Sequence, residues 1–266
     1  LLDVMSLQEK LGHETVVMLM GNHEMPHVYS IPLSKGRTVF TPRFERALAE
    51  LDRDPQTQYS RADVMTFLKS LPFVVRTKAG VLITHAGATP AIKTKADAEQ
   101  LLMFDHDKLL DSVSGSLAEY DLDALSHHAQ YVNQVREMIA VDSPDDSRFT
   151  DMLRGQLISQ NSGQFEFLWD VLFATNEKGW SMGAYEIVLQ GYLSAISRLS
   201  SYPQKVIVAG HIGVVGGHEL VTDYQLRLAS YAHAHPEIEG QILILDCEAP
   251  ISKASELVPY LRQTLA

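Results

Sequence analysis

Three short apolar runs, each stopped by an asparagine or a histidine, constrain this chain most. VVMLM (16–20) runs into Gly21-Asn22-His23-Glu24, GVLIT (80–84) into His85-Ala86-Gly87, and KVIVA (205–209) into Gly210-His211. Continuous apolar runs of this length read as strands buried on both faces, the kind that parallel sheets use. In open α/β sheets, ligands bind beyond the carboxyl ends of such strands. Three strands that each deliver an imidazole or an amide at that end predict a shared site. Imidazole nitrogen and amide oxygen suit Zn, Mn or Fe better than Ca or Mg.

The remaining pattern surrounds those strands with helices. Residues 3–12 read as a helix ended by Gly12, with Leu2, Met5 and Leu11 on its apolar face. Thr41-Pro42 predicts an N-cap opening a helix over 43–51, and Ser60 with Asp63 predicts a capping box opening one over 61–69. Residues 72–77 and 80–84 read as a hairpin around Lys78-Ala79. From about 95 to 200 the chain is mostly helical, with apolar residues at helical spacing in 96–111, 121–140, 148–159, 165–175 and 184–199. Strand character returns at 205–209 and 242–246. The expectation is one α/β domain spanning 1–266 with a largely helical insertion at about 95–200.

Composition bounds the partners. A chain of 266 residues with 45% hydrophobic content can bury one substantial core. Its formal net charge of −11 disfavours phosphate backbones and anionic lipid, so neither a nucleic-acid nor a membrane partner is expected. An anionic substrate would need a local cationic site, such as metal ions. The apolar runs are too short to span a bilayer. No secretory signal is legible at Leu1, and the single cysteine, Cys247, suits a reducing, cytoplasmic compartment.

The ordered set G-N-H-E, H-A-G-x-x-P and G-H resembles the calcineurin-like metallophosphoesterases, and among them the phosphoprotein-phosphatase branch. G-N-H-E alone would arise by chance in about one such chain per thousand, and the ordered trio after apolar strands is more specific still. The resemblance implies a four-layer α/β/β/α sandwich holding two divalent ions, Mn, Fe or Zn, roughly 3.5–4 Å apart. It implies Asn22, His85 and His211 as ligands of the second metal. It implies His23 as the histidine that touches the phosphate and acts as general acid, with Glu24 in support. Substrates would be phosphate monoesters on a phosphoprotein or a small molecule.

Two departures bear on activity. The family's opening motifs, G-D-x-H-G and G-D-x-x-D-R-G, have no counterpart, because the chain contains no Gly-Asp dipeptide. The expectation is that the N-terminal strands are missing, that at most one ion binds, and that the 266 residues alone are inactive or impaired. The family's second arginine also has no match near Trp180-Ser181-Met182-Gly183, which leaves Lys35, Arg37 and Arg43 as candidate phosphate contacts. Two other readings stay open: a non-catalytic phosphatase-like scaffold, and a nucleotide or dinucleoside polyphosphate hydrolase. The bland alternatives are a loop histidine for His27, surface residues for His127 and His128, structural roles for His218, His233 and His235, and a buried hydrophobe for Cys247.

Overall fold

Helix signals place most of the first third of the chain. A computed structural model describes residues 1–35, 38–119, 141, 145–146, 148–174 and 179–264. Helix α1 (Leu2–Leu11) ends at Gly12, whose φ of 92° is left-handed and so favours glycine. The short α2 (Met25–Val28) follows, then β1 (Ser34–Lys35) pairs antiparallel with β2 (Thr38–Val39). Helix α3 (Thr41–Leu51) begins two residues before the expected start. Thr41 does not cap it, because its hydroxyl accepts the Leu33 N–H at 2.7 Å instead. Helix α4 (Arg61–Ser70) opens on the expected Ser60–Asp63 capping box.

Strands β3 (Val74–Arg76) and β4 (Val81–Thr84) form the expected hairpin. The helix expected over 96–111 is two helices, α5 (Lys95–Leu102) and α6 (His106–Ser112). The break is chemical: Asp105 accepts the Lys108 N–H at 2.9 Å and so starts a new helix instead of continuing the old one. Helices α7 (Ser114–Glu119), α8 (Arg148–Asn161) and α9 (Gly163–Trp169) come next, with a π-helical turn at Asp170–Ala174. The helix expected over 121–140 lies outside the described residues. Helix α10 (Met182–Ser197) leads into β5 (Val206–Ala209).

The rest of the chain is short strands and turns. They are β6 (Val214–Val215), β7 (His218–Thr222), β8 (Gln225–Leu228), β9 (Ala234–His235), β10 (Gln241–Leu243) and β11 (Leu261–Gln263). The chain is thus mixed α/β, with a five-stranded sheet in the order β3-β4-β5-β8-β7. Its three central strands are parallel, with Thr84 opposite Ala209 and Ala209 opposite Arg227, and its two edge strands are antiparallel. The β7–β8 hairpin was not expected. Its signal is weak because Asp223 and Tyr224 make an unremarkable turn and no residue of β7 is fully buried.

Two compact units emerge, Leu1–Leu71 with Asp105–Glu166, and Pro72–Phe104 with Phe167–Ala266. In the first, Tyr29 is buried and hydrogen-bonds His106 at 2.6 Å. Gly155 on α8 lies so close that an added Cβ would sit 2.0 Å from the Tyr29 carbonyl oxygen. In the second unit the sheet core gathers Val81, Val206, Val208 and Leu226 with Ile251 and Leu257.

One expectation fails outright. Residues 16–20 belong to no strand among the described residues. An apolar run becomes a strand only when neighbouring chains take up its backbone N–H and C=O groups. Here Val17 is 47% exposed and only Met20 is fully buried, and the Val16 N–H and carbonyl pair with the Gly12 carbonyl and the Gln8 side chain instead of with a neighbouring strand.

Among the described residues no helix is long and apolar enough to cross a membrane.

Candidate histidine site

Strands β4 and β5 run parallel and in register, so their carboxyl ends coincide. His85 and Gly210-His211 are the next residues out. The Gly210 N–H donates to the His85 carbonyl at 3.1 Å, which extends the ladder one step beyond the assigned strands. Both imidazoles are half-buried there. His85 Nε2 and His211 Nδ1 lie 3.1 Å apart, and the ring centroids 5.0 Å apart.

His211 reaches that position at a conformational cost. Its φ is +66°, and the Ile212 N–H donates back to the Gly210 carbonyl at 2.8 Å. A bond from residue i+2 to residue i with positive φ at the centre is the rare, strained form of the γ-turn. A non-glycine residue held this way costs of order 1–3 kcal/mol, and such residues cluster at functional sites.

Two imidazole nitrogens face to face at this distance either share a proton, one N–H donating to the other lone pair, or share a cation. A metal with bonds of about 2.0–2.1 Å sets its nitrogen ligands about 2.8–3.4 Å apart, across right-angled to tetrahedral geometry. The observed 3.1 Å falls inside that range and is equally an imidazole–imidazole hydrogen-bond distance. Among the described residues, no group of three or more His, Cys, Asp or Glu side chains is arranged to hold one. The pair itself therefore offers two nitrogens.

The loop leaving His85 is buried and clamped. Ala86, Ala88 and Thr89 are at most 3% exposed. Thr84 Oγ1 donates to the Ala86 carbonyl at 2.6 Å, and the Ala88 N–H donates to the Tyr185 hydroxyl at 3.0 Å. Tyr185, on α10, donates in turn to Gln225 Oε1 on β8 at 2.5 Å. Neither Tyr185 nor Gln225 was singled out from sequence. The available signal was a phenol and an amide in otherwise apolar elements, where each needs a partner.

Asn22, His23, His27, Lys35, Arg37 and Arg43 belong to the first unit. Asn22 is half-buried in the turn before α2, and His23 is exposed with its ring edge-on to Phe40 at 5.0 Å. His27 stacks on Phe44 at 3.7 Å. Burial, and to a smaller degree the neighbouring His23, lower its pKa to about 4, so it is neutral at pH 7. Arg43 is exposed on α3, between those two phenylalanines in sequence. Arg37 and the side chain of Lys35 lie outside the described residues, as do His127 and His128. Cys247 is exposed, not buried as expected. His233 and His235 are exposed around β9.

The first unit also has a cleft of about 560 Å³ lined by Met5, Glu9, Tyr59 and Phe67 among others, where the Tyr59 hydroxyl donates to Glu9 at 2.9 Å. None of the candidate residues lines it. Comparison of the chain with protein-family models, with curated proteins and with solved structures gave no match.

Proposed function

We propose that the chain is a metallophosphoesterase, hydrolysing phosphate monoesters on a phosphoprotein or a small molecule, and that it carries part of the two-metal site. The observation behind this reading is the His85–His211 pair, at the carboxyl ends of adjacent parallel strands with one member in a strained turn. The reading takes the five-stranded sheet as one sheet of a four-layer α/β/β/α sandwich, and a cytoplasmic setting for a chain with one cysteine.

His85 Nε2 and His211 Nδ1 would hold one divalent ion, Mn, Fe or Zn, as neutral imidazoles. An ion bound there supplies Lewis acidity toward a phosphoryl oxygen. Ligation requires both imidazoles to be deprotonated at the binding nitrogen, so affinity falls as pH drops. In the family resemblance, Asn22 of the first unit is the amide-oxygen ligand. The resemblance would give His23, whose ring is solvent-accessible, the role of general acid. Arg43, Lys35 and Arg37 stay as the candidate phosphate contacts that the resemblance leaves.

The test is p-nitrophenyl phosphate hydrolysis with added Mn²⁺, in a chain preceded by G-D-x-H-G and G-D-x-x-D-R-G motifs and in the 266 residues alone. Metal-dependent turnover in the longer chain, reduced at least about 100-fold by H85A or H211A, is expected. Turnover little above background is expected of the shorter one. A folded longer chain without metal-dependent turnover would overturn the reading and favour the binding scaffold. The lack of any Gly-Asp dipeptide is what keeps that second reading in play. Comparing nucleotide and dinucleoside polyphosphate substrates with phosphopeptides separates the remaining alternatives.

A further inference from the structure

We infer that Tyr185 is a positioning residue for His85, an inference that rests on the function proposed above. His85 leaves the sheet in a segment whose backbone is buried, and a buried N–H without a partner is costly. The Ala88 N–H, three residues past His85, finds that partner in the Tyr185 hydroxyl at 3.0 Å. The same hydroxyl spends its proton on Gln225 Oε1 at 2.5 Å. Tyr185 is 1% exposed and Gln225 is fully buried, so water is a poor substitute for either contact.

Gln225 lies opposite Ile207 in the β5–β8 ladder. The relay therefore ties the His85 loop to the strand beside the one that delivers His211. The near side of His85 is fixed by its own carbonyl, which accepts the Gly210 N–H at 3.1 Å. His85 is thus held on one side by β5 and, through Ala88, on the other by Tyr185. A ligand pair set 3.1 Å apart depends on both holds. Removing only the phenolic oxygen leaves the ring in place and takes away the loop's hold at Ala88, while the Thr84 bond to the Ala86 carbonyl remains. Groups that orient metal ligands typically change affinity 10–100-fold when removed.

The experiment uses Y185F in the 266-residue chain, with Y192F as the control. Tyr192 is equally buried on the same helix and makes no contact with the His85 loop that the argument uses. Two readouts are taken: Co²⁺ binding followed by visible absorption, and hydrogen exchange of the Ala88 amide. The expected result is a Co²⁺ affinity about 10–100-fold weaker in Y185F, with altered absorption bands and an Ala88 amide exchanging at least about tenfold faster. Y192F should match wild type in both. A Y185F chain that binds Co²⁺ within about twofold of wild type, with unchanged bands, would overturn the inference. If wild type binds no Co²⁺, the metal reading fails, and the Ala88 exchange rate alone upholds or overturns the tether. Should Y185F not fold, Q225M, which removes the acceptor and keeps the phenol, is read in the same way.

Discussion

Residues 16–20 in the first unit and 81–84 in the second are both short, apolar and followed within three residues by a histidine, yet only the second is a strand. Strand β4 has β3 on one side and β5 on the other, so its backbone groups are taken up twice over. Val81 and Leu82 are fully buried as a result. The run at 16–20 has neither neighbour among the described residues, and Val17 stays 47% exposed. Apolarity makes a segment eligible to be a strand, and hydrogen-bonded neighbours decide whether it is one.

The largest expected difference is in amide exchange. Residues 82–84 and 207–209 should exchange about 1,000-fold more slowly than residues 17–20 at neutral pH, measured by mass spectrometry or NMR. Equal protection would mean that the first run is paired after all, and would break the comparison.

The same contrast should appear in stability. L82A removes a fully buried side chain from the sheet and should cost about 2–5 kcal/mol in urea unfolding. V17A should cost about 0.5 kcal/mol or less. Trp169 and Trp180 both lie in the second unit, so tryptophan emission follows that unit while far-UV signals follow both. If V17A destabilises as much as L82A, the exposed reading of 16–20 is wrong.

A third effect belongs to the first unit. Burial, reinforced by Lys69, lowers the His106 pKa to about 4 against the weaker pull of Asp107 and Asp105, and His27 is lowered to a similar value. The folded state then binds fewer protons than the unfolded chain between pH 6.5 and about 4. The stability tied to the neutral imidazole is full above pH 6.5 and is lost as pH falls through that window, up to about 3 kcal/mol for His106. The H106Q variant, which has no imidazole to titrate, should show a flatter urea midpoint between pH 7 and pH 4.5. An unchanged slope would show that His106 does not set it.

How much of this was legible in sequence follows from what each signal depends on. The Ser60–Asp63 box, Gly12 and the hairpin at 74–84 rest on local chemistry, and the structure has them where the residues predict. The fate of 16–20 depends on partners distant in sequence, which no local pattern reports. The same holds for the γ-turn at His211 and for the Tyr185–Gln225 relay. Each is formed by groups far apart in the chain or by a backbone conformation that the residue type disfavours. The histidines at the strand ends were readable; the way they are held was not.

The smallest effect sharpens the contrast between the two histidine-bearing segments. H211G should relieve the left-handed strain and stabilise the chain by about 1 kcal/mol while removing a proposed ligand. His23 is not among the described residues with positive φ, so H23G should bring no such gain. A thermal melt that ranks them the other way would remove the strain argument for His211.

The most direct measurement is a Co²⁺ titration of the 266-residue chain, followed by visible absorption, for wild type, H85A, H211A and a H233A/H235A control. One ion per chain is predicted for wild type and for the control, with saturable binding lost in both H85A and H211A. A wild-type chain with no saturable binding, or H85A and H211A chains that bind as tightly as wild type, would contradict the account.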